Sequence, residues 1–443
     1  MMQKLYIKNF RQITEAEIEI RDIMFLIGEQ ASGKSTIAKL IYFFKSLKQD
    51  YFDLLANSAN QNAKLLIKII QDKFALYFGY TSRYADDFEI KYYYSEELGD
   101  FVRLYKDKFL QVEFSVGFWN EICNKYKEAI DKQEKRKVQK YPNFQLQDMA
   151  DKDLRRYLLD VTSDLFHDRR DTLFFPAGRN ITVSYPEQFQ LLFFGSMGST
   201  LSAKAGNVNS VDMALMKEFF SYSKFLVDYF SEEKHHLKVN NALSALLAEK
   251  VNIILHGSYK NTGGNERLFF DDENYVPLNL ASSGQQETIR IIQDLVYIFN
   301  EQETTSRIIE EPEAHLFPAA QAALVQLMVL VANYTGTQFI VTTHSPFIMT
   351  SFNNLLYYQK VLSLNEKSRV DVVRHFGTSK LNHTSKENLG IKPDSFQAYA
   401  LKTNAGEYCK SIFDKDVQMI GDNYIDEVSE QIYGDFDFLY SKI

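Results

Sequence analysis

Cysteine is nearly absent from the chain. Cys123 and Cys409 are the two in 443 residues, isolated and without metal-type spacing, so neither a disulfide framework nor a zinc site is implied and a reducing cytoplasm is expected. Positive charge is also scarce, with 50 Lys and Arg against 58 Asp and Glu, a net charge of -8 and a pI near 5.6. That balance argues against a protein that coats nucleic acid generally and leaves only a local basic groove compatible with the composition. No stretch approaches the roughly 18 apolar residues of a membrane span; the longest, LVQLMVLVA (Leu324 to Ala332), contains Gln326 and reads as a buried helix. The start, MMQKLYIKNF, has no apolar signal core, and no membrane association is expected. What the chain does have is 45% hydrophobic residues, enough for a large core and two or three domain-sized units.

The patterning divides the chain into stretches of different texture. LYIKNF and AEIEI alternate like an edge hairpin, and IMFLIG (Ile23 to Gly28) is a short buried-strand run that leads into a glycine loop. TIAKLIYFFKSL has helical spacing. LLIKII, FALYFGY, FEIKYYY and FLQVEFSV then read as strands of an antiparallel sheet, closing a first unit over 1–116. Residues 117–172 are charged helix broken at Pro142, two helices of roughly 30 to 38 Å at 1.5 Å per residue, which predicts a short hairpin arm. A helical insertion is expected over 173–270, with a loop in the Gly/Ser-rich stretch GSMGSTLSAKAGN (Gly195 to Asn207) and two strands around the DDEN turn that follows. Helix and strand alternate over 271–350, favouring a largely parallel sheet, and 351–443 is a mixed tail, read as a partner-binding region.

Four motifs carry chemistry. In GEQASGKS, Gly28 and Gly33 would let backbone N–H groups curl toward phosphate oxygens, Lys34 would contact the outer phosphates, Ser35 would hold Mg2+, and Thr36 follows on the helix whose N-terminus adds positive potential. In RIIEEPEAHLFP a short strand ends in adjacent carboxylates; a nucleotide hydrolase needs one acid for the metal, here Glu310, and one to polarise water, here Glu311. Arg307 sits where a buried strand prefers an aliphatic residue. In LNLASSGQQE, a capping box of Ser283 with Gln286 is one reading and an anion-binding helix start the other. VTTHSPF ends a strand in His344, and its separation from Glu311 leaves room for one helix and one strand, which makes it the tip of the next parallel strand.

Taken in order, GEQASGKS, ASSGQQE, IIEEPEAHL and TTHSPF resemble the Walker A, signature, Walker B with D-loop, and switch-histidine motifs of ABC-type ATPases. KLYIKNFRQITEAEIEI, EEPEAHLFP and THSPF are similar to the SMC/RecF/OLD branch of that class. The motif-bearing segments cover roughly 1–50 and 275–350. The resemblance implies an α/β P-loop head with an antiparallel β subdomain, ATP and Mg2+ as cofactors, and hydrolysis by Glu311 with His344. It also implies a head-to-head homodimer, or a larger assembly of such dimers, in which Ser283 and Gly284 touch the γ-phosphate of the opposite copy. Arg11 lies where the branch contacts the nucleotide, and FFPAGRN (Phe174 to Asn180) is similar to a Pro-Ala-x-Arg segment of OLD-like ATPases that would place Arg179 near the site, a Pro/Gly turn being the alternative. The chain departs from the pattern at Ala281, in the lack of a clear frame for the Q-loop glutamine between Gln61 and Gln111, and in a tail without a Toprim nuclease pattern. A separately encoded effector, such as a nuclease in bacterial anti-phage defence, is therefore expected by analogy. The alternative is a RecF-like DNA-binding clamp that touches phosphates through Lys132, Lys135, Arg136, Lys137 and Lys140 of the arm, or else shows only a solvated helix face there.

Overall fold

The structure, a computed structural model, describes residues 2–57, 62–79, 84–138, 144–187, 211–232, 235–364, 366–384, 386–402 and 407–421, together with 434 and 440. The Gly/Ser-rich stretch at 195–207, Pro142 and Lys140 lie outside them.

Two larger sheets organise the described residues. The first is antiparallel, in the order β2-β1-β4-β5-β6, from β1 (Gln3–Phe10), β2 (Ile13–Ile20), β4 (Glu89–Ser95), β5 (Asp100–Asp107) and β6 (Phe109–Phe114). The second runs β14-β13-β3-β12-β11-β7, built from β3 (Ile23–Gly28), β7 (Asp171–Phe175), β11 (Thr305–Glu310), β12 (Gln338–Thr343), β13 (Phe396–Leu401) and β14 (Cys409–Ser411). Its pairings are parallel except for β13 with β14. β8 (Ser258–Thr262), β9 (Asn265–Phe269) and β10 (Tyr275–Pro277) form a small antiparallel sheet, with β9 and β10 flanking the DDEN turn.

The parallel sheet separates two cores because successive side chains of a strand face opposite ways. On β3, Met24 and Leu26 enter one core, and Ile23, Phe25 and Ile27 the other. The first core holds α1 (Lys34–Ala56), α2 (Leu65–Phe78), α3 (Val116–Val138) and α4 (Phe144–Leu165) against the antiparallel sheet. Beyond a short turn of helix, α5 (Ile181–Ser184), the second core gathers α6 (Val211–Tyr229), α7 (Ala242–Leu255), α8 (Ser283–Glu301), α9 (Pro318–Thr335) and α10 (Pro346–Leu362), followed in the chain by α11 (Glu366–His375). Leu324 to Ala332 is buried on α9 apart from half-buried Gln326, as its apolar run predicts.

Two sequence expectations change. LLIKII and FALYF are one helix, α2, and not strands. Leu66, Ile70, Phe74 and Phe78 are its buried residues, spaced by four, so the apolar stripe was helical and only its β-branched density suggested a strand. The second change concerns the tail. β13 lies beside β3 with Leu401 paired to Gly28, which puts 396–401 inside the sheet that carries the glycine loop. The α3–α4 pair does not stand free of the head along its full length. Phe118, Ile122, Tyr126 and Leu158 join the first core, and Tyr51 Oη on α1 donates to the Ile122 carbonyl at 2.8 Å.

Candidate nucleotide site

The carboxyl ends of β3, β12, β11 and β7 lie side by side, with Ile27 paired to Thr343, Thr342 to Glu310 and Ile309 to Phe175. Open α/β sheets bind ligands at this edge. At the tip of β3 the chain curls into the glycine loop, where Gly33 adopts a φ of +93° and a Cβ would meet Tyr408 Oη at 2.7 Å. Both the left-handed backbone and the close approach require glycine. Lys34 opens α1 and is buried, its ammonium donating to the carbonyls of Gly28 at 2.7 Å and Glu29 at 2.8 Å. Burial lowers its pKa to about 8, against the upward pull of Glu311, Glu313 and Glu29. These loop carbonyls are partners that phosphate oxygens can replace. Ser35 and Thr36 occupy the same first turn, and Gln12 Nε2 donates to Thr36 Oγ1 at 3.4 Å.

The two adjacent carboxylates end β11. Glu310 is buried; its Oε2 accepts from the Ala177 N–H at 3.2 Å, while Oε1 has no hydrogen-bond partner among the described residues and lies 3.6 Å from Lys39 Nζ. Such an orphaned carboxylate oxygen is costly to bury and is the valence a divalent cation would fill. In a regular strand the next side chain would point to the opposite face. Glu311 instead has a φ of +43°, a conformation costing about 1–3 kcal/mol in a non-glycine residue, and this turn brings its Oε1 within 3.4 Å of His344 Nε2.

Arg179 sits behind the pair, fully buried. It donates to the carbonyls of Glu310 at 2.8 Å, Glu311 at 3.0 Å and Glu287 at 2.8 Å. Burial lowers the pKa of this guanidinium while the surrounding acids oppose the shift. Its hydrogen bonds are with the backbone under the carboxylates, and its Nε also lies 3.6 Å from Glu287 Oε2. Arg307 is equally buried and is held by Asp294 at 2.9 to 3.1 Å, which explains a cation inside a buried strand.

The signature segment is capped one residue earlier than its sequence suggests. Ser282 and Gln285 form the capping box at the start of α8, not Ser283 and Gln286, and Ser283 is left exposed outside the cap. Gln286 instead donates to the carbonyls of Asn279 at 2.9 Å and Ala281 at 3.0 Å. Gly284 lies so close to the segment after β11 that a Cβ would meet the His315 carbonyl at 2.6 Å, so the signature helix packs directly on the D-loop.

Three participants were not read from the sequence. Glu313 Oε1 accepts from Thr343 Oγ1 at 2.6 Å and from the His344 N–H at 2.9 Å, tying the D-loop to the strand tip that carries the histidine. Lys39, one turn beyond Ser35, is shared between Glu310 and Asp212 on α6. From the tail, the Tyr408 hydroxyl donates to the Ser32 carbonyl inside the glycine loop. The alternating run FQAYAL was the available signal for β13, but nothing local marks Tyr408. Arg11, by contrast, turns its guanidinium toward the Phe78 carbonyl, at 3.3 Å, and it is Gln12 that meets α1.

A family model described as an AAA ATPase domain matches residues 1–349. Similar solved structures include an SMC head bound to the C-winged helix domain of ScpA, with 14% identity and a TM-score of 0.38. An SMC head domain from Thermotoga maritima has 12% identity and a TM-score of 0.35. An SMC head with an extended coiled coil, bound to the C-terminal domain of ScpA derived from Pyrococcus furiosus, has 15% identity and a TM-score of 0.33. Each alignment covers 79% of this chain and 91% of the other. No curated protein matches the sequence.

Proposed function

The chain belongs to the AAA ATPase domain family, and from that premise we propose that it is an ATP-driven switch whose two copies close head to head on nucleotide and part on hydrolysis. The observation that carries this reading is the meeting of Lys34, Glu310, Glu311 and His344 at the ends of three neighbouring parallel strands, with one oxygen of Glu310 buried, 3.6 Å from Lys39 Nζ and without a hydrogen bond among the described residues. Lys34 exchanges its loop carbonyls for the outer phosphates of ATP. Ser35 and Glu310 would hold Mg2+, which would neutralise phosphate charge there. Glu311 orients and polarises the attacking water, and His344, beside it, faces the terminal phosphate.

A second copy completes the site. Ser283 is exposed at a helix start, suited to meet an anion from outside its own chain. Leu280, Phe317 and Phe347 are exposed large apolar side chains, at 71%, 76% and 50%, and they flank the signature, D-loop and histidine segments in turn. Apolar side chains placed around a polar site favour a protein partner over solvent. Closure then follows from the higher affinity of ATP for the paired state.

The effector is a separate protein, a nuclease in an anti-phage setting being the reading favoured by analogy, and its co-purification with the native chain tests that part. The DNA-clamp alternative draws less support, since Arg136 pairs with Asp151 and Lys132 lies 3.5 Å from the ring centre of Tyr157. The decisive experiment is Glu311→Gln. With Mg-ATP it should accumulate as a dimer in light scattering, with turnover reduced roughly 100-fold or more, the range for loss of a positioned base. A variant that hydrolyses ATP at the original rate would remove Glu311 from the mechanism.

A further inference from the structure

The glycine loop is held from behind by a residue that belongs to none of the four motifs. Tyr408 is 6% exposed and lies in the first core together with Leu401 and Cys409. Two strand pairings fix its place. β14 runs antiparallel to β13 with Cys409 opposite Leu401, and the Lys402 N–H donates to the Tyr408 carbonyl at 3.1 Å. β13 in turn lies beside β3, with Leu401 opposite Gly28 at the mouth of the loop. The phenol is therefore delivered to the loop by sheet hydrogen bonds.

Its hydroxyl meets a carbonyl that has no other donor. Ser32 is fully buried, and among the described residues only the Tyr408 hydroxyl donates to its carbonyl. Burial, with Cys409 adding to it, pushes the phenol pKa up to about 12, so the donor proton stays in place across the neutral range. A planar trans peptide carries its C=O and N–H in opposite directions, and the described residues contain no cis peptide bond. With the Ser32 carbonyl turned toward the tail, the Gly33 N–H faces away from it, and this N–H makes no backbone hydrogen bond among the described residues. Gly33 does little to fix that plane by itself: it sits at a φ of +93°, and glycine takes either sign of φ about equally well.

We propose that Tyr408 is a positioning residue for nucleotide binding: by holding the Ser32 carbonyl toward the tail it keeps the Gly33 N–H aimed at the phosphates of ATP, so that the tail sets affinity together with the motif-bearing segments. This role rests on the reading of the loop as a cradle for those phosphates. Without the hydroxyl the Ser32–Gly33 peptide is free to rotate, and the bound phosphate loses one well-aimed donor. The contact is made to the nucleotide before and during hydrolysis alike. Loss of such uniform binding raises KM and leaves kcat in place.

Tyr408→Phe deletes the hydroxyl and keeps the ring that packs in the core. Mg-ATP is titrated into the full chain by calorimetry, and steady-state turnover is measured beside it. Kd and KM should both rise roughly tenfold, the lower end of the value of one hydrogen bond to a charged group. kcat at saturation should stay within about twofold, as uniform binding requires. A lower thermal midpoint with Kd and KM unchanged is the mark of a residue that only packs, and it overturns the proposal. An equal loss in kcat and kcat/KM also overturns it, because the contact would then belong to the transition state alone. Failure of the unsubstituted chain to bind ATP overturns the phosphate-cradle reading itself, whereas binding that is lost in Lys34→Met and unchanged in Tyr408→Phe overturns only the role of Tyr408.

Discussion

Buried charge is handled in opposite ways at the two ends of α8 and β11. Toward the amino end of β11, Arg307 is matched to Asp294 by three hydrogen bonds of 2.9 to 3.1 Å, and a turn away on α8 Arg290 grips Glu266 with two of 2.6 and 2.7 Å. Toward the strand tip, Glu287, Glu310 and Glu313 each keep one carboxylate oxygen without a hydrogen bond among the described residues. The first set matches each cation to a carboxylate by direct hydrogen bonds and holds helix to sheet, with Arg290 Nε alone of these guanidinium nitrogens left without an acceptor among the described residues. The second is held at longer range, Glu310 Oε1 lying 3.6 Å from Lys39 Nζ and Glu287 Oε2 3.6 Å from Arg179 Nε without a hydrogen bond, as expected of groups that complete their coordination when phosphate and a cation arrive. The same residue type therefore serves folding at one end and is proposed to serve binding at the other, and substitution should separate the two.

The largest effect is expected from Asp294→Ala, which strands Arg307 in the sheet. Loss of one partner of a buried ion pair costs about 3–5 kcal/mol, readable as a lower midpoint in urea unfolding. Lys34→Met should leave that midpoint nearly unchanged, because it removes a desolvated charge, yet weaken ATP binding on the order of 100-fold, the value of the charge-assisted hydrogen bonds that the lysine would give to phosphate. Calorimetry reads this directly, and retained affinity would sink the phosphate-loop assignment. Glu310→Gln sharpens the contrast further. The nucleotide-free protein should be unchanged or more stable by about 1 kcal/mol once the buried carboxylate is gone, since Lys39 keeps Asp212 as its partner, while Mg2+-dependent nucleotide binding is lost. A destabilised Glu310→Gln protein would place that carboxylate among the folding charges instead.

The smallest effect is in pH. Burial alone would raise the Glu266 pKa, but Arg290 outweighs it and holds the group below its ordinary value. Glu266 therefore contributes stability that is complete above the unfolded value of about 4.3 and is lost as pH falls through the lower folded value. Glu287 is shifted upward, chiefly by burial with Arg179 opposing. Its contribution is complete below about pH 4.3 and is lost as pH rises through the raised folded value. Replacement of Glu266 by Gln should flatten the acid limb of the stability profile, and Glu287→Gln should remove a loss on the neutral side. Thermal unfolding across pH 3 to 7 distinguishes them by the sign of the change.

Most of the parallel sheet was legible because its strands announce themselves: IMFLIG, TSRIIE and FIVTTH are short apolar runs that end in chemistry-bearing residues. The α2 stretch was misread because Leu and Ile at high density satisfy both periods, and only the spacing of Leu66, Ile70, Phe74 and Phe78 resolves it. The signature cap was off by one residue because Ser282–Gln285 and Ser283–Gln286 are both capping-box pairs in sequence, and helix entry depends on which serine is extended.

The sequence by itself determined which groups are available at the proposed site: a glycine loop with Lys34 and Ser35, the pair Glu310 and Glu311, and His344, each at the end of a strand whose apolar run buries it. Those are local facts, set by backbone curl, helix starts and strand ends. Tertiary structure decided how they are held. Arg179 is drawn under the carboxylates from more than a hundred residues away, Tyr408 is brought to the Ser32 carbonyl by a strand from the far end of the chain, and Glu311 takes a left-handed φ that only surrounding contacts can maintain. The physical reason is that burial, close approach and the balance between paired and open charge are properties of neighbours in space, which no window along the chain contains.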